Sequence, residues 1–194
     1  MKKIGIACDC HNTLINSNHA WIKAFCDYSD YKLQLEISMC LYGKMKRRAL
    51  AKKYKIPFEL VENRADEYEE KNIALIDFLL CAKELNIPLF VVSNAPRKRV
   101  LKDMKITGIK NIFKKIYTGN EGGKKNKKIF DEIIKKYNLD YLLFLGNEEF
   151  DDHIEHEKVI SFALTSFLRD RFEIIGGYCL DDKGKILESK GDYE

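Results

Sequence analysis

The sequence has no run of about 18 consecutive apolar residues, so it offers no candidate membrane-spanning helix. It has no CxxC pair either. Its six cysteines, Cys8, Cys10, Cys26, Cys40, Cys81 and Cys179, are scattered, several of them inside apolar runs. That spacing supports neither a disulfide framework nor a structural zinc site, and the thiols read as small buried hydrophobes. The apolar run near the start is too short for a signal-peptide core and is interrupted at Asp9, so a cytoplasmic protein is expected. There is no internal repeat and no low-complexity linker. No interleaving of aromatic and basic residues supports RNA readout. The 34 Lys+Arg against 30 Asp+Glu leave a net charge of only +4, which by itself says little about nucleic acid. What is present is a 45% hydrophobic content, which excludes disorder, and 194 residues, enough for one domain carrying an insertion.

Short apolar runs that stop abruptly at polar residues mark buried strands at 3–8, 88–92, 115–118, 141–145 and 159–164. Helical periodicity lies between them. Asn72 can cap a helix through Ile76 and Leu79 to Leu85. Residues 96–105 form another, stopped by Gly108, and 127–137 a third, with Phe130, Ile133, Ile134 and Tyr137 on one face. This alternation predicts an α/β fold, a parallel sheet with helices on both faces. Residues 16–81 break the pattern with helix-period segments only, and read as a helical insertion expected over the C-terminal edge of the sheet. The core is accordingly 1–15 with 82–194. A terminal hairpin is expected around Gly184, with residues 191–194 frayed.

In such sheets ligands bind beyond the carboxyl ends of the strands. Here those ends carry Asp9-Cys10-His11-Asn12-Thr13, then Ser93-Asn94, then Gly146-Asn147-Glu148-Glu149-Phe150-Asp151. Lys124 precedes the helix that leads to the last of these strands. A carboxylate, a hydroxyl, a lysine and an acidic cluster on one edge suit phosphoryl transfer through an aspartyl intermediate with a divalent cation. The string Cys8, Cys10, His11 invites a zinc reading, but two thiols and an imidazole this close rarely close a tetrahedral site. The basic segment 44–53 reads as a solvated helix face that could also meet a nucleotide phosphate.

In order and spacing these residues resemble the haloacid dehalogenase superfamily. Asp9, His11 and Thr13 stand where the family has D-x-D-x-T after its first strand. Ser93 stands at its second motif, Lys124 in GKKNKKIF at its third, and Gly146, Asn147 and Asp151 in place of G-D-x-x-x-D. The resemblance implies a Rossmann-like three-layer core with a small helical cap of the C1 type in the insertion. It implies a hydrolase, a phosphatase of a small phosphorylated metabolite, with Mg²⁺ as cofactor and no membrane partner. Nucleic acid is not expected as a partner, although a nucleotide is compatible, and oligomeric state is not readable. By the same resemblance Asp9 is the nucleophile and a metal ligand, and the His11 carbonyl is a second ligand. Ser93 and the Asn94 amide hold phosphoryl oxygens, Thr13 supports the first loop, Lys124 neutralises charge, and Asp151 holds the metal.

Two positions depart from the family pattern. His11 replaces the Asp that protonates the leaving group and then activates water. An imidazole, with an ordinary pKa of about 6.5, can do both. Asn147 replaces a carboxylate ligand with a neutral oxygen, with Glu148 adjacent as a substitute. These changes leave open a protein that binds a phosphate ligand or partner without turnover. Non-phosphate chemistry at Asp9, such as dehalogenation, also stays open.

Overall fold

The computed structural model describes residues 2–29, 31–42, 45–147, 153–164, 178–180 and 186–189. The chain divides into two compact units.

The first unit, Met1–Asn16 with Lys71–Leu164, is the α/β core. Its strands are β1 (Ile4–Cys8), β2 (Leu89–Val92), β3 (Lys115–Tyr117), β4 (Tyr141–Gly146) and β5 (Val159–Ala163). They form a five-stranded sheet in the order β3-β2-β1-β4-β5. Every pairing is parallel. After β1 the chain moves to one side of it through β2 and β3, then crosses to the other side for β4. The order therefore reverses at β1, the place where open sheets bind ligands. The register aligns Cys8 with Leu145, and the Asp9 N–H donates to the Leu145 carbonyl at 2.8 Å. The segments that follow β1 and β4 thus leave the sheet side by side.

The two faces of β1 explain its nearly continuous apolar sequence. Ile6 and Cys8 join the cluster containing Leu75, Ile76 and Leu79 of α5 (Ile73–Glu84), and Val100 and Met104 of α6 (Arg97–Ile106). Ala7 faces the other side, with Ile129, Phe130 and Ile133 of α7 (Lys127–Tyr137). Burial on both faces removes the polar alternation that a half-exposed strand would show. The expected α7 stripe is buried through Ile134, and Phe130 meets Phe144 of β4 edge-on, centroids 5.7 Å apart. Asn126 caps α7 by accepting from the Lys128 N–H, and Asn138 ends it in the left-handed conformation. Asn72 caps α5 in the same way, accepting from the Leu75 N–H at 3.2 Å.

The second unit comprises Ser17–Glu70 and includes β6 (Tyr178–Leu180) and β7 (Ile186–Ser189). Its helices are α1 (Ser17–Tyr28), α2 (Gln34–Tyr42), α3 (Arg47–Lys53) and α4 (Phe58–Glu67). Trp21, Phe25, Ile37, Leu50 and Val61 form its core. The Arg47 guanidinium lies over the Trp21 ring, 4.5 Å from its centroid. β6 and β7 pair antiparallel, and the turn expected at Gly184 lies outside the described residues. The helical unit ends at Glu70 rather than residue 81. The physical reason is α5: Leu75, Ile76 and Leu79 pack under the sheet, so this helix belongs to the core although its period matches the insertion before it.

Candidate active site

Asp9 is the first residue beyond β1 and is buried. One carboxylate oxygen, Oδ1, accepts from the Cys10 N–H at 2.7 Å. The other, Oδ2, lies 3.0 Å from Lys124 Nζ. Both side chains are less than a tenth exposed. A charge pair so placed acts in a low dielectric, where its attraction is several-fold that of a surface pair.

The chain turns sharply after Asp9. The N–H groups of Leu14 and Ile15 both donate to the Cys10 carbonyl, and that of Asn12 donates to Ile15. Asn12 takes a positive φ of 61°, a conformation asparagine tolerates better than most side chains. Thr13 is buried, and its hydroxyl donates to Asn147 Oδ1 at 3.3 Å. Its carbonyl accepts from Asn72 Nδ2 at 3.2 Å, tying the loop to the start of α5.

Ser93 is the first residue beyond β2 and is buried, with its N–H donating to the Tyr117 carbonyl and its hydroxyl accepting from the Ala95 N–H at 3.4 Å. The Asn94 side chain makes a contact that the sequence does not disclose. Its side-chain oxygen accepts from the Lys124 N–H at 2.9 Å, so the second strand end braces the lysine loop. That loop also carries a capping box between Thr118 and Glu121. The Thr118 hydroxyl holds the Glu121 carboxyl below the usual range; the backbone amides and the Arg97 charge add to this, against a smaller opposing effect of burial.

Glycine is required where the two loops meet. Gly123 has φ of +54°, and a Cβ there would come within 2.6 Å of both the Ser93 carbonyl and Asn94 Oδ1. Gly123→Ala is therefore expected to destabilise the protein by about 2–4 kcal/mol, read as the denaturation midpoint at unchanged slope. Gly108→Ala is the control: φ is +72° but nothing lies within 4 Å, so only the backbone cost of about 1–2 kcal/mol applies. Equal losses in the two variants would show that the close approach of the loops is unimportant.

His11 is held differently. Its Nε2 lies 2.8 Å from Oδ2 of Asp103, a fully buried carboxylate on α6. The same Oδ2 forms an ion pair with Arg99 at 2.5 Å. Sequence reading missed Asp103 and Arg99. A signal existed: Asp103 lies between Val100 and Met104 on the apolar stripe of an otherwise basic helix, four residues after Arg99.

The zinc reading is disfavoured. Cys8 and Cys10 share one apolar cluster, and burial, followed by the Asp9 charge, pushes the Cys8 thiol far above its ordinary range. Zinc takes cysteine as thiolate. Glu148 and Asp151 lie outside the described residues. Among the described residues no helix is long and apolar enough to cross a membrane.

Comparisons with known proteins follow the same lines. A protein-family model described as haloacid dehalogenase-like hydrolase matches residues 6–153. A comparison with curated protein sequences finds no match. A solved hydrolase from Streptococcus pneumoniae TIGR4 superposes with a TM-score of 0.62 at 19% identity, over 90% of this chain and 100% of that one. A predicted phosphoglycolate phosphatase from Haemophilus somnus 129PT gives 0.56 at 18%, over 85% and 86%. A family enzyme from Bacteroides thetaiotaomicron, solved as a variant with magnesium and inorganic phosphate, gives 0.54 at 14%, over 84% and 94%. At these identities the likeness is one of fold.

Proposed function

The chain belongs to the haloacid dehalogenase-like hydrolases, and from that premise we propose that it is a Mg²⁺-dependent phosphohydrolase of a small phosphorylated metabolite. The observation that carries this reading is the buried contact between Asp9 and Lys124, at the strand end where the sheet order reverses. Asp9 is the nucleophile: a carboxylate oxygen bonds to phosphorus, and the bond from phosphorus to the leaving oxygen breaks. The Cys10 N–H on Oδ1 and Lys124 on Oδ2 set the carboxylate plane for that attack. Lys124 then offsets the negative charge gathering on the phosphoryl oxygens. Ser93 and the Asn94 N–H bind those oxygens. Thr13 holds the first loop and, through its hydroxyl, the Asn147 amide. His11 gives a proton to the leaving oxygen and afterwards takes one from the water that hydrolyses the aspartyl-phosphate.

The donors available to a cation suit Mg²⁺ by their chemistry. Asp9, the His11 carbonyl and Asn147 offer hard oxygen ligands, the kind this ion selects, and Asp151 would add a second carboxylate. Bound there, the ion would neutralise phosphoryl charge. The phosphate and magnesium in the Bacteroides enzyme accord with both assignments. The helical unit is assigned as the C1-type cap of the family.

Phosphate release from a generic aryl phosphate tests the reading. Release is expected with Mg²⁺, is expected to stop with excess chelator, and to return when Mg²⁺ is restored. Release indifferent to chelator would contradict the metal assignment. Asn147, neutral where the family carries a carboxylate, favours one other reading, ligand binding without turnover. Its signature is thermal stabilisation by phosphate with no release across a panel of phosphorylated metabolites.

A further inference from the structure

β3 is an edge strand of the sheet, and a cavity of about 480 Å³ lies between it, α6 and the helical turn Lys110–Ile112. That volume falls within the range of small-ligand pockets, about 300–1,000 Å³. None of the lining residues belongs to the candidate active site. Leu101, Phe113 and Ile116 give the cavity its apolar walls. Phe113 and Ile116 are half-buried and pack against the cluster formed by α5, α6 and the sheet, so they are fixed from behind. Four cations surround these walls: Arg97, Lys110, Lys114 and Lys115. Two of them are already balanced, Arg97 by Glu121 at 3.1 Å and Lys115 by Glu132 at 2.7 Å. Arg97 also donates to the Ile116 carbonyl at 3.5 Å. Lys114 lies over the Tyr137 ring, 5.7 Å from its centroid. Among the described residues neither Lys110 nor Lys114 has a carboxylate within ion-pair distance.

We propose that this cavity binds a nucleoside diphosphate, with its base on Leu101, Phe113 and Ile116 and its diphosphate on Lys110 and Lys114. A small inorganic anion would leave the apolar walls uncovered. An apolar ligand would leave two ammonium groups unanswered. A nucleotide presents a flat ring and a negative charge at opposite ends, and satisfies both sets of residues at once. The two lysines without carboxylates call for a ligand with about two negative charges, which suits a diphosphate. A cleft lined by one sign of charge concentrates its field and draws the opposite charge in. Lysine then meets phosphate as a point charge, without demanding the paired geometry of arginine. Every base has a π-face, and stacking on an aromatic ring tolerates all of them, so the cavity selects nucleotides without selecting the base. Binding here involves neither Asp9 nor Lys124, and it does not depend on the phosphohydrolase reading.

Isothermal titration of the full chain with ADP tests this, in chelator so that metal-dependent turnover is silent. ADP is expected to bind, with adenosine and pyrophosphate each weaker by about tenfold or more. Phe113→Leu keeps an apolar side chain against the core and is expected to weaken ADP by about fivefold or more. Lys110→Ala combined with Lys114→Ala is expected to weaken it by about tenfold or more and to flatten its dependence on salt. Both sets of changes should leave release from an aryl phosphate as in the wild type, and Lys124→Met should leave the affinity for ADP unchanged. Absence of ADP binding would overturn the proposal. So would pyrophosphate binding as tightly as ADP, because charge alone would then be recognised. An affinity that falls in Lys124→Met but not in the Lys110 and Lys114 variant would also overturn it, by placing the nucleotide at the Asp9 site. If the wild type releases no phosphate, the phosphohydrolase reading fails alone, and the titrations still decide the nucleotide site.

Discussion

Asp9→Asn is expected to reduce metal-dependent phosphate release by about 10⁵-fold while leaving the protein folded. The substitution is nearly isosteric, and an amide oxygen can still accept the Cys10 N–H that Oδ1 accepts now. What is lost is the anionic oxygen that attacks phosphorus. The size of the effect matters more than its direction. A 10⁵-fold loss corresponds to about 7 kcal/mol of transition-state stabilisation. Removing a group that only balances charge costs about 10²- to 10³-fold. A loss in the smaller range would mean that Asp9 is an electrostatic neighbour of the reaction and that the bond to phosphorus forms elsewhere. Steady-state release by the purified variant, with folding checked by thermal melting, separates the two.

Lys124→Met is expected to show that smaller effect, a fall in kcat of about 10²- to 10³-fold. It also has a consequence for stability. Lys124 and Asp9 are 7% and 9% exposed at their side chains, so removing the ammonium takes the charged partner from a buried carboxylate, whose Oδ1 still accepts from the Cys10 N–H. Breaking a buried pair in this way costs about 3 kcal/mol or more. For a chain of this size that is a fall in Tm of about 6–12 °C, measured in chelator so that both proteins are metal-free. Asp9→Asn with Lys124→Met should recover most of the loss, because neither unpaired charge then remains. A double variant as unstable as Lys124→Met would mean that the lysine stem, rather than its charge, supports the loop. Pairs such as Lys127 with Glu155, both mostly exposed, contribute little by comparison.

The two units differ in how far sequence reveals them. In the core, burial on both faces wrote the strands as uninterrupted apolar runs. Asp9, Ser93 and Asn147 stand where those runs stop, so the strand ends could be read directly. α7 was equally plain, because Asn126, the Phe130, Ile133 and Ile134 stripe, and Asn138 specify its start, face and end together. The boundary of the helical insertion was not plain. α5 has the same helical period as the segments before it, and only its contacts with Cys8, Val91 and their neighbours assign it to the sheet. The partner of His11 was the least legible feature. It lies 92 residues away in the chain, and an acidic residue in a basic helix has many ordinary explanations. The Asn94 side chain escaped notice for a related reason. Its bond to the Lys124 backbone depends on two loops meeting at Gly123, which no local pattern encodes.

The most direct measurement is where the phosphoryl group resides during turnover. Wild-type protein mixed with an aryl phosphate and Mg²⁺, quenched rapidly in acid and mapped by peptide mass spectrometry, should carry one acid-stable, hydroxylamine-labile phosphoryl group on Asp9. Asp9→Asn should carry none. An acid-stable phosphoryl group on another residue, or phosphate release at the wild-type rate by Asp9→Asn, would contradict nucleophilic catalysis by Asp9.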